Sequence, residues 1–236
     1  MARSWQIVAL AISLALMIAT ILWYAKEEQK APAPSGAGTQ PHSGALHHGA
    51  DTPEHKGGDL SPIQVFANAK DGDWRAYRVT TEITDKQPIT ATALLRLSSV
   101  SAANVTVSGN GRIEATGEIQ KQPDDVRPRQ GLTIDQLTGN DIGGWTIYDV
   151  TITDEPHVVG GRTFKCKKIS YASKDPMFPT KNTRTELWVS DEVPAGGIVE
   201  EKEIQQLDAM RFAITQTLLG FGDATTTAWG TKPDGL

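Results

Sequence analysis

From residue 76 onward, hydrophobic and polar residues alternate along most of the chain. In the segment 76–83, Tyr77, Val79 and Ile83 alternate with polar side chains. A period of two is typical of a strand with one buried face and one solvated face. The same pattern recurs in the segments 92–100, 103–119, 145–152, 158–166, 183–190, 197–204 and 210–221. The sequence therefore predicts about nine strands, nearly all at hairpin spacing.

Strands that follow one another this closely favour antiparallel pairing. An antiparallel sheet of this size must curl, or pack on a second layer, to bury its apolar face. We therefore expect a mainly β domain over residues 61–222, built as one antiparallel, strongly curved sheet or half-barrel. A two-sheet β-sandwich is the alternative. We predict that residues 223–236 form a flexible C-terminal tail.

Glycines and prolines place the predicted turns between these strands. Asn110-Gly111 and Gly160-Gly161 each match the two-residue turn of a hairpin. The polar stretch 120–131 interrupts the alternation, and we interpret it as a loop. Residues Phe164 and Ile169 fall in opposite phases of one strand, which predicts a β-bulge at Lys167-Lys168.

The stretch "WVSDEVPAGGIVE", residues 188–200, combines two acids, a proline and a double glycine. Such residues are typical of a metal loop, an anion site or an ordinary turn. We interpret Asp191 and Glu192 as turn residues after a strand, with Gly196-Gly197 turning the chain. The charged segment 197–204 that follows has the pattern of a protected edge strand.

The N-terminus has a different character. Residues 5–24 contain no charged residue, and a helix of this length spans roughly 30 Å, the thickness of one hydrocarbon core. Trp5, Trp23 and Tyr24 stand where aromatic rings favour the membrane interface. We predict a transmembrane signal-anchor helix in residues 1–25, held in the bilayer through residues 5–24. The short N-terminal stub favours a single-pass N-in, C-out orientation, with the domain on the periplasmic, extracytoplasmic side.

Residues 26–60 are rich in Pro, Gly, Ala, Ser and charges and contain almost no large apolar side chain. Such a segment cannot bury enough surface to order itself, so we predict a disordered linker. Four histidines fall within it: His42, His47, His48 and His55. They are candidate metal ligands, although their irregular spacing equally suits a polar linker.

Composition narrows the functional classes. The formal net charge of −5 provides no basic field for nucleic acid. No nucleotide-binding or hydrolase motif is present, so we expect a protein that is not an enzyme and has no cofactor. Asp154, Glu155 and His157 form the one candidate metal or acid–base group in the domain. The single cysteine, Cys166, alternates with Phe164, which favours a small buried side chain over a nucleophile.

Three tryptophans stand at strand ends: Trp74, Trp145 and Trp188. Large aromatic rings in such places either cap the core or line the mouth of an apolar pocket. The sequence leaves both interpretations open.

Three segments carry a resemblance to known proteins: "AKDGDWRAYRV" (69–79), "GGRTFKCKKI" (160–169) and "ELWVSDEVPAGGIVE" (186–200). In order and spacing they resemble a loose group of uncharacterised exported or anchored bacterial β-rich domains. This resemblance implies an exported β-domain but no particular activity. More distantly, the strand-rich plan is similar to Lol-type lipoprotein carriers, in which a curved sheet holds acyl chains.

Three functions follow from these observations. The first is a membrane-tethered, extracytoplasmic, non-enzymatic binding or accessory module, one version of which is a subunit with a protein partner at the membrane. The second is a carrier of a lipid or other apolar ligand. The third is a metal-dependent hydrolase built around Asp154, Glu155 and His157.

Overall fold

The computed structural model describes residues 63–131, 133, 146–175, 178–207 and 210–236 of the chain. These residues contain ten strands and no α-helix. The strands are β1 (Trp74–Ile83), β2 (Ile89–Val100), β3 (Asn104–Ile113), β4 (Ile119–Pro128), β5 (Thr146–Val159), β6 (Arg162–Asp175), β7 (Phe178–Val189), β8 (Ile198–Leu207), β9 (Met210–Gly222) and β10 (Thr227–Gly230).

All ten strands belong to one antiparallel sheet, in the order β4-β3-β2-β1-β9-β8-β7-β6-β5, with β10 paired to β9. Every pair of neighbours in this order is also consecutive in sequence, except β1 and β9. The sheet is not closed, because β4 and β5 stand at its two edges. The prediction of a mainly β, antiparallel domain is confirmed, and the β-sandwich alternative is wrong for the described residues, which form a single sheet.

One face of the sheet, called here the inner face, carries most of the buried side chains. Tyr77 on β1 lies opposite Ala93 on β2 and Leu218 on β9, so these three side chains point to the same side. The same face continues through Leu187 on β7 and Ile169 on β6. A single buried cluster includes residues from β3 as well as β5. Burial of this shared face is the main stabilising term of the fold.

The predicted hairpin turn at Asn110-Gly111 is wrong. Both residues lie inside β3, where Asn110 pairs with Leu94 on one side and Lys121 on the other. The chain instead turns near Gly117, which has φ +69° and whose N–H donates to the Ile113 carbonyl at 2.8 Å. Pairing on two sides outweighs a local turn preference.

The polar stretch 120–131 is not a loop along most of its length, because β4 extends to Pro128. Its register against β3 shifts between Gln122 and Asp125, and this shift brings both of them, with Arg127, into the interior. Arg127 Nε donates to Asp125 Oδ2 at 2.6 Å. Charges that the sequence analysis placed in solvent therefore form a buried pair.

The predicted bulge at Lys167-Lys168 is also wrong, since β6 keeps a continuous register with β5 and β7 through both lysines. Phe164 and Ile169 do lie in opposite phases, and both are fully buried. Different neighbours cover them: Phe164 packs against Phe221 and Trp229, whereas Ile169 lies opposite Leu187. Because both sides of β6 are buried, Phe164 and Ile169 can lie in opposite phases without a bulge between them.

The C-terminal residues do not form a loose tail. Thr227–Gly230 is strand β10, and Trp229 lies opposite Phe221. Leu236 packs against a separate apolar cluster on the other face of the sheet, formed by Trp74, Ala76 and Leu94. Arg96 fixes this end by donating to the Leu236 carbonyl at 2.7 Å. The apolar surface of Trp74 explains why the tail is held.

The stretch 190–197 is a turn, as the sequence predicted. The Ser190 N–H donates to the Gly197 carbonyl at 2.8 Å, and Gly196 and Gly197 have φ of +109° and +72°. The segment after it, however, is not an edge strand, because β8 lies between β7 and β9.

The predicted transmembrane segment 1–25, the linker 26–60 and its four histidines lie outside the described residues. Within the part of the chain that is described, no helix is long and apolar enough to cross a membrane.

Candidate functional site

The predicted group of Asp154, Glu155 and His157 does not come together. Asp154 points away from the other two and binds Lys167 through an Oδ1–Nζ contact of 3.1 Å in solvent. Adjacent residues of a strand face opposite sides, so Asp154 cannot converge on one ion with Glu155 and His157. Across the described ranges, no three His, Cys, Asp or Glu side chains lie close enough to hold a metal ion.

Glu155 and His157 instead belong to a polar network around Trp188. The His157 ring stacks on Trp188 at 4.4 Å, and Trp188 Nε1 donates to Glu155 at 3.2 Å. His157 Nε2 lies 2.9 Å from Glu200, which also contacts Lys202 at 3.0 Å. These polar groups satisfy one another, which suits a structural role for the network.

This network also shows that the sheet bends. His157 is on β5 and Glu200 is on β8, three positions away in the strand order. In a flat sheet that separation is roughly 14 Å, yet the two side chains are in hydrogen-bond contact. The β5 edge therefore folds toward β8 over the face that carries Glu200 and Lys202, which is opposite the inner face.

Cys166 is buried, as predicted. Burial raises the pKa of its thiol to about 11, and the charge of Glu192 adds to this effect. A thiol with that pKa is protonated at neutral pH, so Cys166 is a poor nucleophile.

Of the three predicted tryptophans, Trp74 and Trp188 lie in the described residues, and these two do not line a shared pocket. Trp74 is buried in the cluster that Leu236 covers, and Trp188 is stacked under His157. Trp145 lies outside the described residues. Trp74 and Trp188 are buried in separate surroundings and do not face a common space.

The accessible part of the inner face lies along β8 and β9. Five inner side chains there are half-buried, so part of each remains accessible: Glu201, Glu203, Phe212, Ile214 and Gln216. Most of their neighbours on β1 and β7 are buried, including Val79, Thr81, Thr183, Thr185 and Leu187, so side chains that are not accessible flank the strip. We call this strip and its flanks the recess.

The flanks of the recess are polar although they are buried. Thr81 on β1 is 6% exposed, and Thr183 on β7 is 2% exposed. Neither hydroxyl group has a hydrogen-bond partner. Ser173, Thr185 and Gln205 are buried on the same side. Buried hydroxyl groups without a partner are rare, because their desolvation is not compensated.

The recess also holds ionisable groups. Glu201 and Glu203 point the same way from β8, and Glu203 accepts a hydrogen bond from Gln205. The pKa of Glu201 is raised to about 7, mainly by burial and also by the charge of Glu203, while Arg75 acts in the opposite direction. Arg75 is itself fully buried, with its guanidinium 5.0 Å from the Tyr77 ring centroid. Burial also lowers the pKa of Arg75 and raises that of Tyr77.

An apolar cluster of aromatic side chains lies beyond the recess. Phe164 meets Trp229 edge to face at 5.3 Å, and Phe221 lies 6.3 Å from Phe164. The Tyr77 hydroxyl donates to the Ile198 carbonyl at 2.8 Å and joins the two regions. The interior therefore has a packed apolar end and an accessible polar end.

The alternation of hydrophobic and polar residues did not predict the recess, although the sequence contains a signal for it. Thr183 and Thr185 occur in phase with Leu187 and Val189, so they had to share the apolar face of their strand. Polar residues in an apolar phase mark an interior that is not purely hydrophobic. The glutamates of β8 have the pattern of a charged edge strand, so the sequence does not place Glu201 and Glu203 in the interior.

No protein-family model matches the chain, and no curated protein matches it. Two solved structures show a distant likeness. An S-type phycobiliprotein lyase, CPES from Guillardia theta, has 8% identity and a TM-score of 0.30, covering 66% of this chain and 92% of its own. The hypothetical protein CT021 from Chlamydia trachomatis has 11% identity and a TM-score of 0.33, covering 74% and 98%. Similarity this low does not indicate a shared activity.

Proposed function

We propose that this chain is a membrane-tethered, extracytoplasmic, non-enzymatic binding module. In this proposal residues 5–24 anchor it, residues 26–60 tether it, and the sheet curves as a half-barrel whose recess receives a small ligand. The observation that carries the proposal is the pair of buried hydroxyl groups, on Thr81 and Thr183, without a partner beside half-buried side chains.

Two further features support a binding role. The sheet is open between β4 and β5, which leaves a route to the interior. The recess places two apolar side chains, Phe212 and Ile214, beside polar groups that can orient a small molecule.

Native mass spectrometry of the full chain in membrane nanodiscs tests the binding role. We expect a bound small molecule in the wild-type spectrum and its loss in Ile214→Trp, which fills the recess. The matched control is Thr215→Trp on the opposite face, which should keep the ligand. A wild-type spectrum without any ligand would contradict the proposal.

Protease added to cells with a permeabilised outer membrane tests the location. The linker 26–60 is expected to be cut and the β-domain released from the membrane. Cleavage that requires lysis of the inner membrane would place the domain in the cytoplasm and overturn the orientation.

A lipid or apolar-ligand carrier is the second candidate, favoured by the half-buried Phe212 and Ile214 in the recess. A carrier must release its ligand, so transfer of the bound molecule to acceptor vesicles would favour this version. An accessory subunit would instead retain the ligand and co-purify with a protein partner.

A further inference from the structure

We infer that the sheet carries a docking groove for one extended strand of a partner protein, on the outer face, which is the side opposite the inner face. Residues 223–236, called here the strap, occupy this groove within the same chain and leave it when the partner binds. The recess is on the other face, so this inference goes beyond the proposed small-ligand role and does not depend on it.

The floor of the groove is an apolar cluster on three strands. Trp74 and Ala76 lie on β1, Leu94 lies opposite Ala76 on β2, and Leu219 on β9 packs against them. Leu236 of the strap covers this floor. Without the strap the floor would be an exposed apolar patch, the kind of surface at which soluble proteins bind partners.

One wall of the groove is an edge of β9. β8 pairs with β9 only as far as Thr217, and β10 takes the same side of β9 at residues 220–222. The Thr231 N–H continues this pairing by donating to the Leu219 carbonyl at 3.0 Å. When the strap leaves, the main-chain groups of residues 219–222 are open to another strand, as in proteins that bind a peptide by adding a strand to a sheet.

The groove recognises main-chain groups. Arg96 Nη2 donates to the Leu236 carbonyl at 2.7 Å, and Arg112 Nη1 donates to the Asp234 carbonyl at 3.2 Å. Gly220 has no side chain, and a Cβ atom there would lie 2.5 Å from the strap backbone. Every extended chain has such carbonyl groups and such a backbone, so a strand of different sequence fits the same groove.

The strap itself is held loosely. None of its side chains is fully buried, and four are half-buried: Trp229, Lys232, Pro233 and Leu236. Trp229 meets Phe164 edge to face at 5.3 Å, and Lys232 Nζ lies 5.1 Å from the centroid of the Trp74 ring. Segments with few buried contacts open without global unfolding. The strap can therefore leave the groove while the sheet stays folded.

Trp74 indicates a ligand other than the strap. Its side chain is 1% exposed, and its Nε1–H group has no acceptor among the described residues. A buried donor without a partner is destabilising, because its desolvation is not compensated. A partner strand that places a carbonyl or carboxylate oxygen at this nitrogen gains a hydrogen bond that the strap does not provide. Such a strand can compete with the strap of the same chain.

Fluorescence anisotropy on the full chain in nanodiscs tests the groove. The probe is a labelled, amidated peptide of residues 226–236, which carries Trp229 and Leu236. Because the strap of the same chain competes with the probe, Leu236→Ser in the protein should tighten probe binding about fivefold. Asp234→Ser, at an exposed position of the strap, should bind the probe as the wild type does.

Arg96→Gln distinguishes the groove from nonspecific binding. Arg96 is exposed, so the substitution should leave the sheet folded. Added to Leu236→Ser, it should weaken probe binding about tenfold, the loss of one charge-assisted hydrogen bond. A probe with serine in place of Leu236 should bind about fivefold more weakly than the original probe.

Hydrogen exchange of the wild-type chain measures release of the strap directly. The amide of Thr231 should exchange at least tenfold faster than the amides of residues 77–81 in the middle of β1, because the strap opens without the sheet. Equal protection at the two places would show that the strap opens only with the whole domain, which overturns the inference.

Equal probe binding by the wild type and Leu236→Ser, or absence of binding by both, also overturns it. A wild-type dimer that is lost in Leu236→Ser, detected by native mass spectrometry, would show that the occupant is the strap of a second copy and not a partner protein. None of these outcomes bears on the recess, whose ligand is tested separately by Ile214→Trp.

Discussion

At the scale of single residues, the turn at 190–197 depends on backbone freedom that only glycine supplies. A Cβ atom on Gly197 would lie 2.5 Å from Val65 Cγ1 and 2.8 Å from the Ser190 carbonyl oxygen. The same glycine has φ +72°, where other residues are strained. Steric contact and backbone strain therefore act together at this position.

Gly197→Ala should lower the free energy of unfolding by about 3 kcal/mol, since it adds a steric clash to a backbone strain of about 1–2 kcal/mol. Gly161→Ala is the control, because Gly161 has φ +78° but open space around its Cβ position. Gly161→Ala should lower the free energy of unfolding only by the backbone strain. Urea denaturation measures both, and equal losses would show that the contact with Val65 is unimportant.

At the scale of strands, the sequence predicted which segments are extended much better than where they turn. The alternation that identified β1 and β7 arises from the side-chain period of two, which every half-buried strand shares. The turn signal at Asn110-Gly111 failed because β2 and β4 pair on both sides of that dipeptide. β4 was missed because its inward residues are polar, and a buried pair such as Asp125–Arg127 requires knowledge of the partner strand.

The C-terminal residues 227–236 provide an element-scale prediction. Leu236 packs on the cluster of Trp74, Ala76 and Leu94. Leu236→Ser should lower the free energy of unfolding by about 1 kcal/mol, because it uncovers part of that apolar surface. Asp234→Ser, at an exposed position of the same segment, should have no effect. A thermal melt followed by tryptophan fluorescence compares them, and equal midpoints would mean that Leu236 does not contribute.

At the scale of the whole molecule, the sheet divides the charged side chains between its two faces. Arg78, Arg96 and Lys202 on the outer face are exposed, whereas Arg75 and Glu201 face inward. The alternation of hydrophobic and polar residues predicted the fold class. It did not predict which charged side chains face inward and which face outward. That division depends on which strands are neighbours, and β1 and β9 are too far apart in sequence for their pairing to be read from local patterns.

Glu201 should make stability depend on pH. Its pKa is about 7 in the folded chain, against 4.5 for the ordinary side chain. Below about pH 4 the group is protonated in both states and has no effect. As the pH rises to 7, the unfolded chain loses this proton first, so the free energy of unfolding falls by about 1–3 kcal/mol and then levels off.

Glu201→Gln should remove that part of the pH dependence, with Glu186→Gln on the opposite face as its control. Urea denaturation between pH 4 and 8 measures the difference. A Glu201→Gln curve parallel to that of the wild type would show that the carboxyl group ionises as readily in the folded chain as in the unfolded chain.

The order of the strands also determines how the chain reaches its native state. β1 to β4 form one series of hairpins, and β5 to β9 form another, each made by pairing nearest neighbours in sequence. Such local contacts form quickly, because little loop entropy is lost. Among the described strands, only the β1–β9 pairing joins strands from opposite ends of the sheet order in sequence, so it closes the longest loop. We therefore expect the two series to assemble early and the docking of β1 against β9 to be the slow, late event of folding.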